Sequence, residues 1–158
     1  MSSPSNNETR RARSTAARLY AVQALFQMEA AGQSAERVRR EFEDWRIGAE
    51  IDGEPSPDAD AQLFARILDD AVTWQGRIDQ MTDRALVARW PIDRIDPVLR
   101  ALFRAAGAEL VGKAAPPRVV ISQYVGIAGA FFPEGRETKF VNAVLDHMAR
   151  ETSPEDFA

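Results

Sequence analysis

Residues 118–132 read RVVISQYVGIAGAFF. How this stretch folds decides between a mixed α/β chain and an all-α one. Its opening, Val119-Val120-Ile121, is β-branched and suits a strand. Beyond it, Ile121, Tyr124, Val125, Ala128 and Phe132 recur at helical spacing, which a strand would scatter over both faces. The spacing predicts a helix, set off from what precedes it by the breaker GKAAPP at 112–117. Gly126 and Gly129 allow a close approach of neighbouring helices and read as core packing.

The flanking segments repeat the helical period. Upstream, Asp96 followed by Pro97 is a cap and a first turn, and Val98, Leu102, Phe103, Ala106 and Leu110 make the most apolar helix of the chain. Downstream, a last helix over Glu137 to Arg150 turns Phe140, Val141, Val144, Leu145 and Met148 inward. Further out, a helix from Thr9 to Ala30 carries Leu19, Val22 and Phe26 on one stripe with Leu25 beside it, and Gly32 ends it. Ser34 caps a second helix that buries Val38, Phe42 and Trp45. Ser56, Pro57, Asp58 and Asp60 mark the start of a third. Its broad apolar face runs from Leu63 and Phe64 through Ile67, Leu68 and Ala71 to Val72. Gly76 bends or ends it, and Ile78, Met81 and Ala85 continue the spacing. Trp45, Trp74 and Trp90 read as core or rim packing.

The expected fold class is therefore all-α, a compact bundle of about seven helices in one domain. Residues 9–150 form that domain. Residues 1–8 are Ser, Asn and Pro rich and expected to be disordered, and residues 151–158 form an acidic flexible tail.

The 158 residues are 45% hydrophobic and 28% charged, the balance of a globular chain rather than a disordered one. There is no cysteine, which removes disulfides and thiolate chemistry. No apolar run approaches the roughly 20 residues of a membrane span, and the N-terminus lacks a secretory signal, so a cytoplasmic protein is expected. Catalytic patterns are missing too. His147, the single histidine, reads as a surface residue. No cluster has metal-ligand spacing. VGKAA lacks the glycine spacing and hydroxyl of a phosphate-binding loop. The residues favour a binding module over an enzyme.

The charge distribution is more telling than the net charge of −4. Arg10, Arg11, Arg13 and Arg18 gather at the start of the first helix, while the rest of the chain is acidic. An arginine over the core stripe is costly to bury unpaired, so the packed part of that helix is expected to begin near Arg18. The residues before it project from the body, and Tyr20 points to solvent beside them. Arginine donates to phosphate bidentately and stacks on bases, both of which single-stranded RNA offers. A solvated helix start is the plain alternative, although arginine there opposes the helix dipole.

Several motifs together resemble the NusB family of bacterial transcription antitermination factors. ARLYAVQALFQME resembles the family's opening helix, with its "AVQALY" segment. VLRALFRAAGAEL resembles the "LR…YEL" helix. PPRVVISQYVGIAGAFF followed by KFVNAVLDHMAR resembles the C-terminal pair, and the order and spacing run from about residue 9 to 150. The resemblance implies an all-helical protein that binds the boxA element of RNA with the ribosomal protein NusE and joins elongating RNA polymerase. It implies no catalysis and no cofactor. It implies that Arg18 contacts RNA, with Arg10, Arg11 and Arg13 in the same arm but displaced upstream, the family's further arginines being Ser14, Thr15 and Ala16 here. It matches Arg104 to the arginine of the second motif, on the RNA or partner surface, and Lys139 of KFVN to an RNA contact. Ser122 and Gln123, Ala108 and Phe26 depart from the family pattern. Two other readings stay open: the RNA-binding domain of an rRNA cytosine methyltransferase, and a protein-interaction bundle without RNA affinity. The former lacks a glycine-rich cofactor loop and a cysteine nucleophile here. The apolar faces are compatible with a homodimer.

Overall fold

The computed structural model describes residues 6–47, 50–51, 54–55, 59–86, 95–133 and 135–157. Among the described residues seven α-helices follow one another: α1 Asn6–Ala31, α2 Ala35–Trp45, α3 Ala61–Thr73, α4 Gln75–Leu86, α5 Pro97–Gly112, α6 Pro117–Phe131 and α7 Arg136–Thr152. A 3₁₀ turn, Pro154–Phe157, closes the chain. The all-α expectation holds, and the segment that decides it is α6. The connection between α2 and α3 carries a two-residue antiparallel ladder, Glu50–Ile51 against Glu54–Pro55.

α5 is the axis of the bundle. It packs against α1, α3, α4, α6 and α7. Leu99, Leu102, Phe103 and Leu110 are buried, and so are Ala101, Ala105, Ala106 and Ala108 between them. A helix apolar all round belongs in a core, and its alanines let five neighbours come close. The closest approach is at Gly107. A Cβ placed there would lie 2.4 Å from Cγ2 of Ile78, a fully buried side chain on α4. A β-branched side chain held in the core cannot swing aside cheaply. Gly107→Ala therefore gains about 1 kcal/mol of helix propensity but should cost about 1–3 kcal/mol through overpacking. A lower urea midpoint at unchanged m-value is the expected reading. The close approach expected of Gly126 and Gly129 is not found. A Cβ on Gly126 would meet nothing within 4 Å, and one on Gly129 only Thr138 at an ordinary 3.7 Å.

The helix ends follow local chemistry. Ser34 Oγ accepts from Arg37 N–H at 3.2 Å, and Asp96 Oδ1 from Val98 N–H at 2.7 Å, as expected. Ser56, Pro57 and Asp58 lie outside the described residues. The cap of α3 is Asp60, whose Oδ1 accepts from Leu63 N–H at 3.0 Å. The break between α3 and α4 falls at Trp74, two residues before Gly76. Gly32 leaves α1 in the left-handed region at φ 64°. At the end of α5 that conformation is taken by Lys113, φ 53°, and not by Gly112. Gly112 serves another need, since a Cβ there would sit 2.5 Å from Asp70 Oδ2.

Three burial expectations need correction. Trp45 is 77% exposed. α2 rests on α1 and α3, Val38 and Phe42 fill that contact, and the last residue of the helix lies beyond it. Val72 is likewise exposed, at the end of α3. Tyr20 is half-buried instead of solvent-facing, edge-on to Phe42 at 6.0 Å, because α2 covers that side of α1. Trp90 is outside the described residues.

The expected flexible tail is also different. Glu151 and Thr152 complete α7, Ser153 is buried, and the 3₁₀ turn packs on α7. Phe157 anchors it, its ring lying under the guanidinium groups of Arg118 and Arg150. At the other end, Asn6, Asn7 and Glu8 belong to α1, and residues 1–5 lie outside the described set.

Candidate nucleic-acid interface

α1 has two characters. Up to Ala16 its residues are exposed or half-buried; Ala17 is the first fully buried one. The seam expected near Arg18 is thus found at residues 17 and 18. Arg10, Arg11 and Arg13 are all exposed on the projecting part. Among the described residues, two hydrogen bonds tie Arg13 and Thr15 of that part to the body. The Asp60 N–H donates to the Arg13 carbonyl at 3.1 Å, and Thr15 Oγ1 donates to Gln123 Oε1 of α6 at 2.8 Å.

Between the first turns of α6 and the arm of α1 lies a cleft of about 500 Å³. Arg10, Arg11, Ser14 and Arg18 line one wall, and Arg118, Val119, Ser122 and Gln123 the other. No carboxylate lines it, in a chain with more acidic than basic residues. Among the described residues no ion pair joins Arg10, Arg11 or Arg118 to a carboxylate. Uncompensated guanidinium groups facing each other across a cleft are suited to an anion placed between them.

Arg18 is in the cleft but is not a free hand within it. Its residue is 6% exposed, and its Nε and a terminal nitrogen donate to Glu109 Oε2 and Oε1 at 2.8 and 3.0 Å. The Glu109 side chain is fully buried on α5. Burial by itself lowers the guanidinium pKa, but the hydrogen bond to Glu109 and its charge outweigh that and hold it above the ordinary value. Tyr124 of α6 completes the group. Its hydroxyl is buried without a hydrogen bond of normal geometry among the described residues, and burial first, then the Glu109 carboxylate, pushes its pKa well up. So the arginine expected as the foremost RNA contact ties α1 to α5. Spacing alone placed it over the core stripe, and its partner, 91 residues away, settles how it is buried.

Arg104 is also committed within the protein. It donates to Asp79 Oδ1 and Oδ2 at 3.0 and 2.9 Å, and to Glu29 Oε2 at 3.2 Å. Arg100, the arginine that directly follows leucine in VLRALFR, also pairs with Glu29. Two arginines of α5 thus bridge two carboxylates on α1 and α4, far from the arm: Arg10 and Glu29 are separated by about 28 Å along the helix at about 1.5 Å per residue. The Arg100 hydrogen bond, against a smaller burial effect, holds the Glu29 carboxyl below its usual value. A carboxyl with a lowered folded pKa contributes stability above its unfolded pKa and loses it as pH falls through the folded one. Glu29→Gln should therefore lower the urea midpoint at neutral pH, with the gap to the unsubstituted chain closing in acid. A gap independent of pH would contradict this. Lys139 is exposed on α7, beside Thr138, which faces Gly129 near the far end of α6; it is not brought to the arm.

A second hollow continues the same stripe of α1. It encloses about 380 Å³ between Val22, Phe26, Ala30, Val98 and Phe131, with Gln23 and Gln27 at its edge. Phe26 is 37% exposed there, and Gln23 Oε1 is buried with no hydrogen-bond partner among the described residues. An open aromatic wall beside an amide lies next to an arginine cleft. Together they can hold a planar ring in the hollow and, farther along the same strand, backbone phosphates in the cleft.

Sequence reasoning missed Arg118, Gln23 and Phe131 as site residues. Arg118 had a signal: a basic residue in the first turn of a helix, just after Pro116 and Pro117, opposes the dipole. The others had none, because only packing brings α6 alongside α1. Among the described residues no group of three or more His, Cys, Asp or Glu is placed to hold a metal ion, and no helix is long and apolar enough to cross a membrane.

Comparison with known proteins identifies the family. The NusB family profile matches residues 15–150. The transcription antitermination protein NusB of Granulibacter bethesdensis is 47% identical over 151 residues, covering 91% of each chain. That of Maricaulis maris is 43% identical over 156 residues, covering 98% of this chain and 96% of its own. Among solved structures, Thermotoga maritima NusB superposes with a TM-score of 0.69 at 26% identity, covering 99% of this chain and 97% of that one. A complex of the antitermination factors NusB and NusE with double-stranded RNA gives 0.68 at 23% identity, a likeness of fold, over 87% of this chain and 96% of that one. With a seven-helix bundle, an arginine arm on α1 and a match that spans the domain, the chain belongs to the NusB family.

Proposed function

We propose that this protein is a transcription antitermination factor. It binds boxA-type RNA together with the ribosomal protein NusE and joins the elongating RNA polymerase complex, supporting rRNA transcription in the cytoplasm. It does this by binding and not by catalysis. The observation that carries the reading is a carboxylate-free arginine cleft and an aromatic hollow that follow one another along one stripe of α1. The arm, through Arg10, Arg11 and Arg13, meets the phosphate backbone, and the hollow takes a base. Arg18 holds the floor, and Arg104 stabilises the opposite end of α1.

The curated relatives support this over the domain of a methyltransferase, since the two named above are themselves transcription antitermination proteins. The test is read-through of a terminator by RNA polymerase with the other Nus factors and NusE present. Adding this protein should raise read-through on a template carrying boxA and leave a template with scrambled boxA unchanged. Equal read-through on both templates contradicts the proposal.

A further inference from the structure

The C-terminal turn was expected to be free, yet the ring of its last described residue, Phe157, lies against one arginine of the cleft. The Arg118 guanidinium lies 5.2 Å from the centre of the Phe157 ring, and that of Arg150 lies 4.7 Å from it. Such contacts hold a cation over a ring face. The two arginines differ in what else they meet. Arg150 donates to Asp146 at 2.8 Å, within its own helix. Arg118 has no carboxylate partner among the described residues, is exposed, and lines the cleft opposite Arg10 and Arg11. A long arginine side chain left to itself samples many rotamers, and fixing it costs conformational entropy. An aromatic ring against one face removes part of that freedom and leaves the guanidinium edge open to hydrogen bonding. The ring is itself seated, because Ser153 is buried and the 3₁₀ turn rests on α7.

We propose that Arg118 is an RNA-backbone contact of this cleft and that Phe157 is its positioning residue, so that the C-terminal turn completes the RNA site from the side opposite the arm. A phosphate held between Arg10 or Arg11 and Arg118 is gripped from two helices. This rests on the RNA-binding reading above and adds a wall to it.

The test is a titration of a labelled boxA-type RNA, with NusE present, into the unsubstituted chain and into Arg118→Ala, Phe157→Ala, the double variant and Phe157→Trp, each over a salt series. Losing one phosphate contact should weaken binding by about fivefold and reduce the slope of log affinity against log salt by about 0.7. Phe157→Ala should weaken binding severalfold in the parent but add nothing once Arg118 is gone. Phe157→Trp, which keeps a ring face, should bind as the parent does. Circular dichroism and the urea midpoint report whether the fold survives each change. Arg118→Ala with parental affinity and slope overturns the inference, as does a Phe157→Ala loss of equal size with and without Arg118. If the arm arginines matter and Arg118 does not, this inference fails while the proposed function stands. If the unsubstituted chain does not bind the RNA, both fail.

Discussion

Replacing Glu109 with alanine is expected to destabilise the protein by about 3–5 kcal/mol, the cost of leaving one member of a buried ion pair alone. Arg18 is the member left behind. Its side chain is 7% exposed and Glu109's is 0%, so solvent screens neither of them. Arg18 cannot shed its charge, since its pKa is held above the ordinary guanidinium value. The bond also spans the fold, joining α1 to α5 beside the buried Tyr124 of α6. Domains of this size are stable by about 5–15 kcal/mol in total, so the loss is a large share, on the order of a 10 °C fall in Tm. Replacing both partners with apolar residues of similar size, Arg18→Met with Glu109→Leu, should recover much of it, because no charge is then stranded. Urea unfolding of the two single variants and the double decides this. Single variants within about 1 kcal/mol of the parent would assign the pair no structural role.

The second large effect concerns binding. Removing Arg10, Arg11 and Arg13 together should leave the fold intact, since all three are exposed and carry no ion pair to a carboxylate among the described residues. RNA affinity should fall by about tenfold to a hundredfold near physiological salt, and the salt slope by about 2 for three phosphate contacts at about 0.7 each. A change in affinity without a change in slope would place the effect in helix stability and not in phosphate contact. Arg104→Ala should show the reverse pattern, with lowered stability from the stranded Asp79 carboxylate, Glu29 keeping Arg100, and little change in salt slope.

What could be read from the residues divides along physical lines. Helical period and caps are local, so α6, the Ser34 and Asp96 caps and the bundle itself were legible. The seam between exposed and buried parts of α1 near Arg18 was legible too, because a core stripe and a run of arginines cannot share one environment. The role of Arg18 was not, since it depends on Glu109, which sits on another helix. Arg104 misled for the same reason: a charge on an apolar helix looks available until Asp79 and Glu29 are seen around it. Phe157 looked like part of a polar tail, and one aromatic residue was enough to dock it. Gly107 carried no signal, because a close helix approach leaves no mark beyond the glycine itself.

The central claim is that the arginine cleft and its aromatic continuation form an RNA-binding surface. The most direct measurement is a titration of boxA-type RNA, with NusE present, across a salt series, beside a scrambled RNA of equal length. Tighter binding of the boxA-type RNA is expected at every salt concentration, with a slope that drops when the arm arginines are removed. Equal affinity for both RNAs, with a slope indifferent to the arm, would contradict it.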